Sequence, residues 1–173
     1  FGKVLFNGIR IPVGGIAGDQ QAALFGQQCF NKGDAKNTYG TGCFILLNTG
    51  NSCFLSQNGL LTTIACSFSK KPNYALEGSV FFGGAVMQWL RDNLSVLPLV
   101  ENSSIISKKE KESSVFFVPA FSGFGAPHWD MKARGGIFGL TQKTNKNQII
   151  KAALESLAFQ SKDVLDAMEK DCG

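Results

Sequence analysis

Histidine is almost absent from this sequence, and paired cysteine motifs are missing altogether. The only histidine, His128, lies in a Gly/Pro-rich segment, where a surface or structural role is favoured over metal ligation. The five cysteines form no Cys-x-x-Cys pair, and their odd number argues against a disulfide framework and against a zinc site. We therefore expect no metal ligands among these residues and reduced, packed thiols at Cys29, Cys43, Cys53, Cys66 and Cys172.

Other absences narrow the function. No apolar run approaches the ~18 residues that a membrane-spanning helix needs, and the first residues lack the order of a signal peptide, so we expect no membrane span and a cytoplasmic location. The net charge of +4 is scattered, and residues 108–112 alternate in sign, which disfavours nucleic-acid binding. There is neither a P-loop motif nor a Gly-x-Gly-x-x-Gly motif after a strand.

The composition of the sequence fits one globular domain. Of 173 residues, 44% are apolar and 17% are charged, which is enough for a core. Fifteen Phe stand beside two Tyr and two Trp, and we expect some Phe to contact a partner surface. Because the chain starts without Met and stops directly after a helical pattern, we predict that it is a piece of a longer protein.

Periodicity predicts several strands in succession, then helices. Helical patterns cover residues 20–28, 85–94 and those from 147 onwards. Strand patterns cover residues 9–18 (a buried strand ending in a tight turn), 36–39, 43–47, 60–66, 74–82, 115–121 and 135–141. Since few long helices separate the strands, a meandering sheet is predicted. The polar composition of residues 101–114 predicts a loop that is a variable insertion.

Asp19 follows Gly18 and precedes an apolar helical run. Its carboxylate fits a helix N-cap, which the local pattern favours. It also fits a proton acceptor at the end of a strand, where ligands bind in open sheets and where a carboxylate is already ionised at neutral pH. The local sequence leaves both interpretations open.

Two glycine segments are candidates for phosphate binding, because main-chain N–H groups reach phosphate oxygens most easily where no Cβ intervenes. Gly40-Thr41-Gly42 interrupts two strand patterns and equally fits a β-bulge or a hairpin corner. Gly83-Gly84 precedes a helix that carries Gln88 one turn later. It fits a phosphate site, with free N–H groups at the positive end of the helix dipole, and it also fits a simple tight turn between strand and helix.

Longer strings around these residues resemble the glycerol kinases of the FGGY carbohydrate kinase family. The strings are GIAGDQQAALFG at residues 15–26, AKNTYGTGCF at 35–44, LLTTIAC at 60–66, YALEG at 74–78, QWLRD at 88–92, VPAF at 118–121 and ARGGIFGLT at 133–141. They cover nearly the whole chain and are far more specific than the short glycine motifs.

The resemblance implies ATP-dependent phosphorylation of glycerol to glycerol 3-phosphate, with ATP and Mg²⁺ as cofactors. It implies that Asp19 is the catalytic base and also binds substrate, that Gln20 binds substrate hydroxyls, and that Phe44 forms an apolar wall along the glycerol carbons. Thr41, Gly84 and Gln88 match positions that contact the nucleotide and its phosphates.

The fold implied is an α/β, actin-like ATPase or ribonuclease-H-like domain with a mixed sheet flanked by helices, incomplete here. Residues 1–18 are predicted to be a leading segment with the first strand, and residues 19–173 the first portion of the C-terminal domain of the kinase. The N-terminal domain and the rest of the C-terminal domain are the missing partners. We expect the complete enzyme to be a homo-oligomer and this chain alone to be inactive.

Two alternatives remain open. Related kinases of the family phosphorylate xylulose, ribulose, gluconate or rhamnulose, and the residues on the phosphate side do not separate these substrates. A non-catalytic nucleotide-binding module on the same scaffold is the other alternative, because a fold alone does not fix a function. Residues 8–10 resemble part of a loop that binds fructose 1,6-bisphosphate, but Asn7 replaces its glycine and the loop is shortened, so such regulation is not expected.

Overall fold

A computed structural model gives the fold and describes residues 1–67, 71–100, 103–109 and 113–173. Strands dominate the first half of this described part, and helices dominate the second. The elements in chain order are β1 (Lys3–Phe6), β2 (Ile9–Pro12), α1 (Asp19–Gly26), β3 (Ala35–Tyr39), β4 (Cys43–Gly50), β5 (Leu61–Ala65), β6 (Asn73–Val80), α2 (Gly84–Asp92), α3 (Ser103–Lys109), β7 (Phe116–Val118), β8 (Gly136–Phe138) and α4 (Lys146–Cys172).

The first two strands form a hairpin whose side chains face solvent. Asn7 and Gly8 have φ values of 49° and 79°, and an Asn-Gly pair in this left-handed region makes a tight hairpin turn. The prediction of one buried strand over residues 9–18 is therefore wrong, because the chain reverses at Asn7-Gly8 and β2 ends at Pro12 with Ile9 66% exposed.

The central sheet has the strand order β3-β4-β6-β5, and all of its pairings are antiparallel. The predicted α/β class is confirmed, but the strand directions differ from the predicted mixed sheet because short links, which favour antiparallel pairing, join β3 to β4 and β5 to β6. Strand β4 also continues beyond residue 47, where the predicted strand ends, to Gly50, and the buried amide of Asn48 donates to the carbonyl oxygen of Cys29 at 2.9 Å.

Helices cover both faces of this sheet. Neighbouring residues of a strand point to opposite faces, and Ile45 packs with Val164 and Met168 of α4 while Leu46 packs with Leu24 of α1. The face under α1 also carries the polar side chains that form the candidate site.

Helix α4 confirms the long helix predicted from residue 147. It begins at Lys146, where the Asn145 side chain accepts hydrogen bonds from the N–H groups of Asn147 and Gln148, and Gln148 bonds back to the N–H of Asn145. No helix in the described ranges is both long and apolar enough to cross a membrane.

The predicted loop over residues 101–114 contains a helix. Residues 103–109 form α3, whose Ile106 packs on a core shared by α2, β7 and α4, so tertiary packing overrides the polar composition. Residues 101, 102 and 110–112 lie outside the described part of the chain. The strand patterns at residues 115–121 and 135–141 shorten to β7 and β8, which pair antiparallel.

All five cysteines are free thiols, as predicted. Cys29 and Cys43 are buried, whereas Cys53 is exposed, so the expectation that every thiol is packed is wrong for Cys53. Burial raises the pKa of the Cys43 thiol.

Candidate functional site

Asp19 is the first residue of α1 and is exposed. Gly18, with extended backbone, occupies the N-cap position, and within the described residues no side chain caps this helix. The interpretation of Asp19 as an N-cap is therefore wrong. Its carboxylate lies at the positive end of the helix dipole and accepts a hydrogen bond of 3.0 Å from Nε2 of Gln20.

A buried lysine links α1 to the sheet. Nζ of Lys36 donates hydrogen bonds to Oε1 of Gln20, to Oγ1 of Thr38 at 2.9 Å and to the carbonyl oxygen of Phe44 at 3.1 Å. The predicted residues Asp19, Gln20 and Phe44 are thus brought together around a residue to which sequence reasoning assigned no role.

Glu77 is the second residue of this site that sequence reasoning missed. In the antiparallel register, Lys36 lies opposite Leu46, and Leu46 lies opposite Glu77, so all three point to the α1 face. Burial raises the pKa of the Glu77 carboxyl. The positive charge of Lys36 acts against this rise, and the negative charge of Asp19 adds to it. Burial lowers the pKa of the Lys36 ammonium, against the attraction of Glu77 and Asp19.

The one sequence signal that could have pointed to Lys36 is its spacing from Thr38, because residues two apart in a strand lie on the same face. A lysine in a strand is usually solvated, however, and only the packing of α1 over β3 buries this one. Glu77 carried no local signal, because its partners come from strands far away in the sequence.

The two glycine segments lie against each other. The N–H of Gly83 donates to the carbonyl oxygen of Thr41 at 2.7 Å, and the N–H of Gly84 donates to that of Gly40 at 2.8 Å. The prediction that these N–H groups at the start of α2 are free is therefore wrong.

This backbone contact requires glycine. A Cβ on Gly84 would lie 2.9 Å from the carbonyl oxygen of Gly40, and one on Gly42 would lie 2.5 Å from that of Val80. The bend at residues 40–42 is indeed a hairpin corner between β3 and β4, and it leaves Thr41 exposed. Gln88 is exposed one turn further along α2.

Both groups of residues lie at one end of the β3-β4 hairpin. Thr38 pairs with Phe44, and Tyr39 pairs with Cys43, directly before and after the bend. Phe44 is the second residue of β4, so its backbone lies close to the bend that carries Thr41. The carboxylate of Asp19 and the amide of Gln20 are therefore joined through Lys36 to the strand that leaves a glycine-rich bend, an arrangement suited to a small polyol beside a phosphate chain.

The chain matches the model for the C-terminal domain of the FGGY family of carbohydrate kinases over residues 35–173. This chain belongs to the FGGY family. It is 60% identical over 168 residues to a glycerol kinase of Clostridium botulinum and 61% identical over 168 residues to one of Clostridium perfringens, in each case over 96% of this chain and 34% of the relative. The chain thus spans about a third of the length of these relatives.

Solved structures of FGGY kinases have the same fold as this chain. A Plasmodium falciparum glycerol kinase with ADP is similar to this FGGY chain with a TM-score of 0.86 and 42% identity, over 95% of this chain and 33% of that one. A xylulose kinase of Lactobacillus acidophilus has a TM-score of 0.77 at 23% identity, over 94% of this chain and 32% of that one, and shows the fold alone. The predicted actin-like ATPase fold is confirmed.

His128 lies apart from these residues. It is exposed, and its Nε2 lies 3.2 Å from Oδ2 of Asp163 on α4, the helix that covers the opposite face of the sheet. This position agrees with the surface role predicted for His128.

Proposed function

We propose that the complete protein phosphorylates glycerol to glycerol 3-phosphate with ATP. The observation that carries the proposal is that Lys36 joins Gln20, the hydrogen-bond partner of Asp19, to the carbonyl oxygen of Phe44 next to the glycine bend, in a chain that matches glycerol kinases over 96% of its length. The other FGGY substrates are less well supported, because the similarity to xylulose kinases extends only to the fold.

In this proposal Asp19 accepts the proton of the terminal hydroxyl as its oxygen attacks the γ-phosphorus of ATP. The exposed carboxylate is free to meet a substrate that approaches the start of α1. Gln20 binds a second hydroxyl, and Phe44 covers the glycerol carbons. Thr41, Gly84 and Gln88 contact the nucleotide from the bend and from α2, so alignment of the two substrates supplies much of the rate.

Mg²⁺ fits this site as an ion carried mainly by the nucleotide. Among the described residues no three His, Cys, Asp or Glu side chains converge, and Mg²⁺ commonly uses one or two carboxylates together with substrate phosphates. We propose no protein ligand for Mg²⁺ in this chain, because Asp19 serves as the proton acceptor. When bound, Mg²⁺ neutralises charge on the transferred phosphoryl group.

The rest of the active site is expected from the part of the kinase that lies outside this chain, so we expect these 173 residues alone to be inactive. We also propose that the C-terminal domain begins at residue 19. We also expect a cytoplasmic, homo-oligomeric enzyme, and the apolar side chains that β1 and β2 expose support burial against a further surface.

The test is ADP release by the complete protein with glycerol, xylulose, ribulose, gluconate and rhamnulose, each compared with ATP alone. We expect the highest kcat/KM for glycerol. Equal or better turnover of a ketose or sugar acid would show that glycerol is not the preferred substrate. Nucleotide binding without substrate-dependent ADP release would indicate a non-catalytic module.

A further inference from the structure

The ammonium group of Lys36 is enclosed and fully occupied. The side chain is only 6% exposed, and a lysine ammonium has three N–H donors and no acceptor. Gln20, Thr38 and Phe44 together provide three acceptor oxygens. No donor is left for a phosphate or a sugar hydroxyl, so Lys36 does not touch the substrate in this arrangement.

The contact with Lys36 determines which way the Gln20 amide faces. Oε1 of Gln20 accepts from the ammonium group, and Nε2 donates to Oδ2 of Asp19 at 3.0 Å. The reversed amide would place two donor groups against each other and remove the donor from the Asp19 carboxylate, which accepts but does not donate. The amide orientation is therefore linked to the charge on Lys36.

The surrounding charges make a buried ammonium group tolerable here. Glu77 on β6 and Asp19 on α1 are both close enough to favour the charged form of Lys36. A buried charge without such partners would be strongly destabilising.

We propose that Lys36 is a positioning residue for glycerol phosphorylation, acting through Gln20. By holding Oε1, it aims Nε2 of Gln20 along the Asp19 carboxylate, so that the amide and the base face the same substrate hydroxyls. This role rests on the proposed function. Neutralising Lys36 is expected to weaken productive binding of glycerol while leaving the nucleotide side, formed by the Gly40–Gly84 contact, intact.

The experiment is a double-mutant cycle in the complete enzyme with Lys36→Met, Gln20→Ala and the double variant. Lys36→Met is expected to raise the KM for glycerol by about 10-fold, as for loss of a charge-assisted hydrogen bond, with the KM for ATP within about 2-fold. In the Gln20→Ala background, Lys36→Met should change the KM for glycerol by less than about 2-fold. Effects that multiply in the double variant would overturn the proposal.

Two further variants guard against a folding defect. Thr38→Val removes one acceptor but keeps the charge, and we expect a rise in the KM for glycerol of about 2- to 3-fold in a stably folded enzyme. Lys32→Met, at an exposed lysine just before β3, is the matched control and should leave both KM values unchanged. Should Lys36→Met not fold, an unchanged KM for glycerol in Thr38→Val would overturn the proposal.

The outcomes also separate this inference from the proposed function. A wild-type enzyme that turns over a ketose instead of glycerol would overturn glycerol as substrate, and the same cycle measured on the KM for that ketose would still decide the role of Lys36. A wild-type enzyme that binds ADP but phosphorylates none of these substrates would overturn both.

Discussion

The N–H of Gly84 donates a hydrogen bond of 2.8 Å to the carbonyl oxygen of Gly40, so the first residue of α2 is held against the bend between β3 and β4. The two glycine segments, at residues 40–42 and 83–84 of the sequence, are one structural unit. Contacts proposed for the nucleotide on Thr41 and Gln88 depend on this unit.

Replacing Gly84 by alanine should weaken nucleotide binding. The added Cβ would lie 2.9 Å from the carbonyl oxygen of Gly40, a backbone atom that cannot move alone, so the start of α2 must shift. In the complete enzyme we expect Gly84→Ala to raise the Kd for ADP by about 10-fold, measured by calorimetry. Gly26→Ala is the control, since its Cβ meets no atom within 4 Å. An unchanged Kd for Gly84→Ala would show that the contact does not support the nucleotide.

Gly78 controls the packing of α4 on the sheet. A Cβ at this position would lie 2.3 Å from Cγ1 of Val164, and overpacking of this kind costs about 1–3 kcal/mol of stability. We expect Gly78→Ala to lower the thermal midpoint of the complete protein. Because Val164→Ala removes the clashing methyl groups, the double variant should be more stable than the sum of the two single effects implies. Simple additivity would contradict this packing.

Asp171 should contribute stability that depends on pH. Burial alone would raise its pKa, but hydrogen bonds from the Ser56 and Asn58 side chains and from backbone N–H groups outweigh burial, so the pKa lies below its ordinary value of 3.8. Such a depressed pKa stabilises the folded state above the ordinary pKa, and this contribution is lost as the pH falls through the folded value.

The check on Asp171 is thermal unfolding of the complete protein with and without Asp171→Asn. We expect a lower midpoint for the variant at pH 7 and a difference that narrows below about pH 4. Asp166→Asn, in an exposed pair with Lys162, is the control and should have a small effect. A difference for Asp171→Asn that is independent of pH would argue against the role of its charge.

The role of Lys36 predicts an alkaline limit for glycerol binding. Burial lowers the pKa of Lys36 below the ordinary 10.5, although Glu77, Asp19 and the Cys29 thiol oppose this shift. As the pH rises through that lowered value, the ammonium group loses its charge and its hold on Gln20 weakens. We expect the KM for glycerol to rise in the alkaline range in wild type but to stay flat with pH in Lys36→Met. Parallel profiles would contradict the prediction.

Local sequence was sufficient for elements whose signals are local. The periodicity of α4 lies within one segment and predicted the helix from residue 147, although the Asn145 cap was not predicted, and the long motif strings identified the family. The helix around Ile106 and the use of the Gly83 and Gly84 N–H groups were not predicted, because each depends on contacts between distant segments. The exposure of Ile9 was missed for a different reason, because the local Asn7-Gly8 turn signal for a hairpin was overlooked. For Asp19, the position at the start of a helix was predictable from the sequence. That Gly18 and not Asp19 is the N-cap residue was not predictable, and the structure was needed to show it.

Turnover by the Asp19→Asn variant of the complete enzyme tests the central claim most directly, with Asp163→Asn on the opposite face of the sheet as the control. Because the substitution removes the proton acceptor but keeps the shape, we predict loss of glycerol-dependent ADP release by at least about 100-fold, with the Kd for ADP within about 3-fold of wild type. Near-normal turnover by Asp19→Asn would contradict the account.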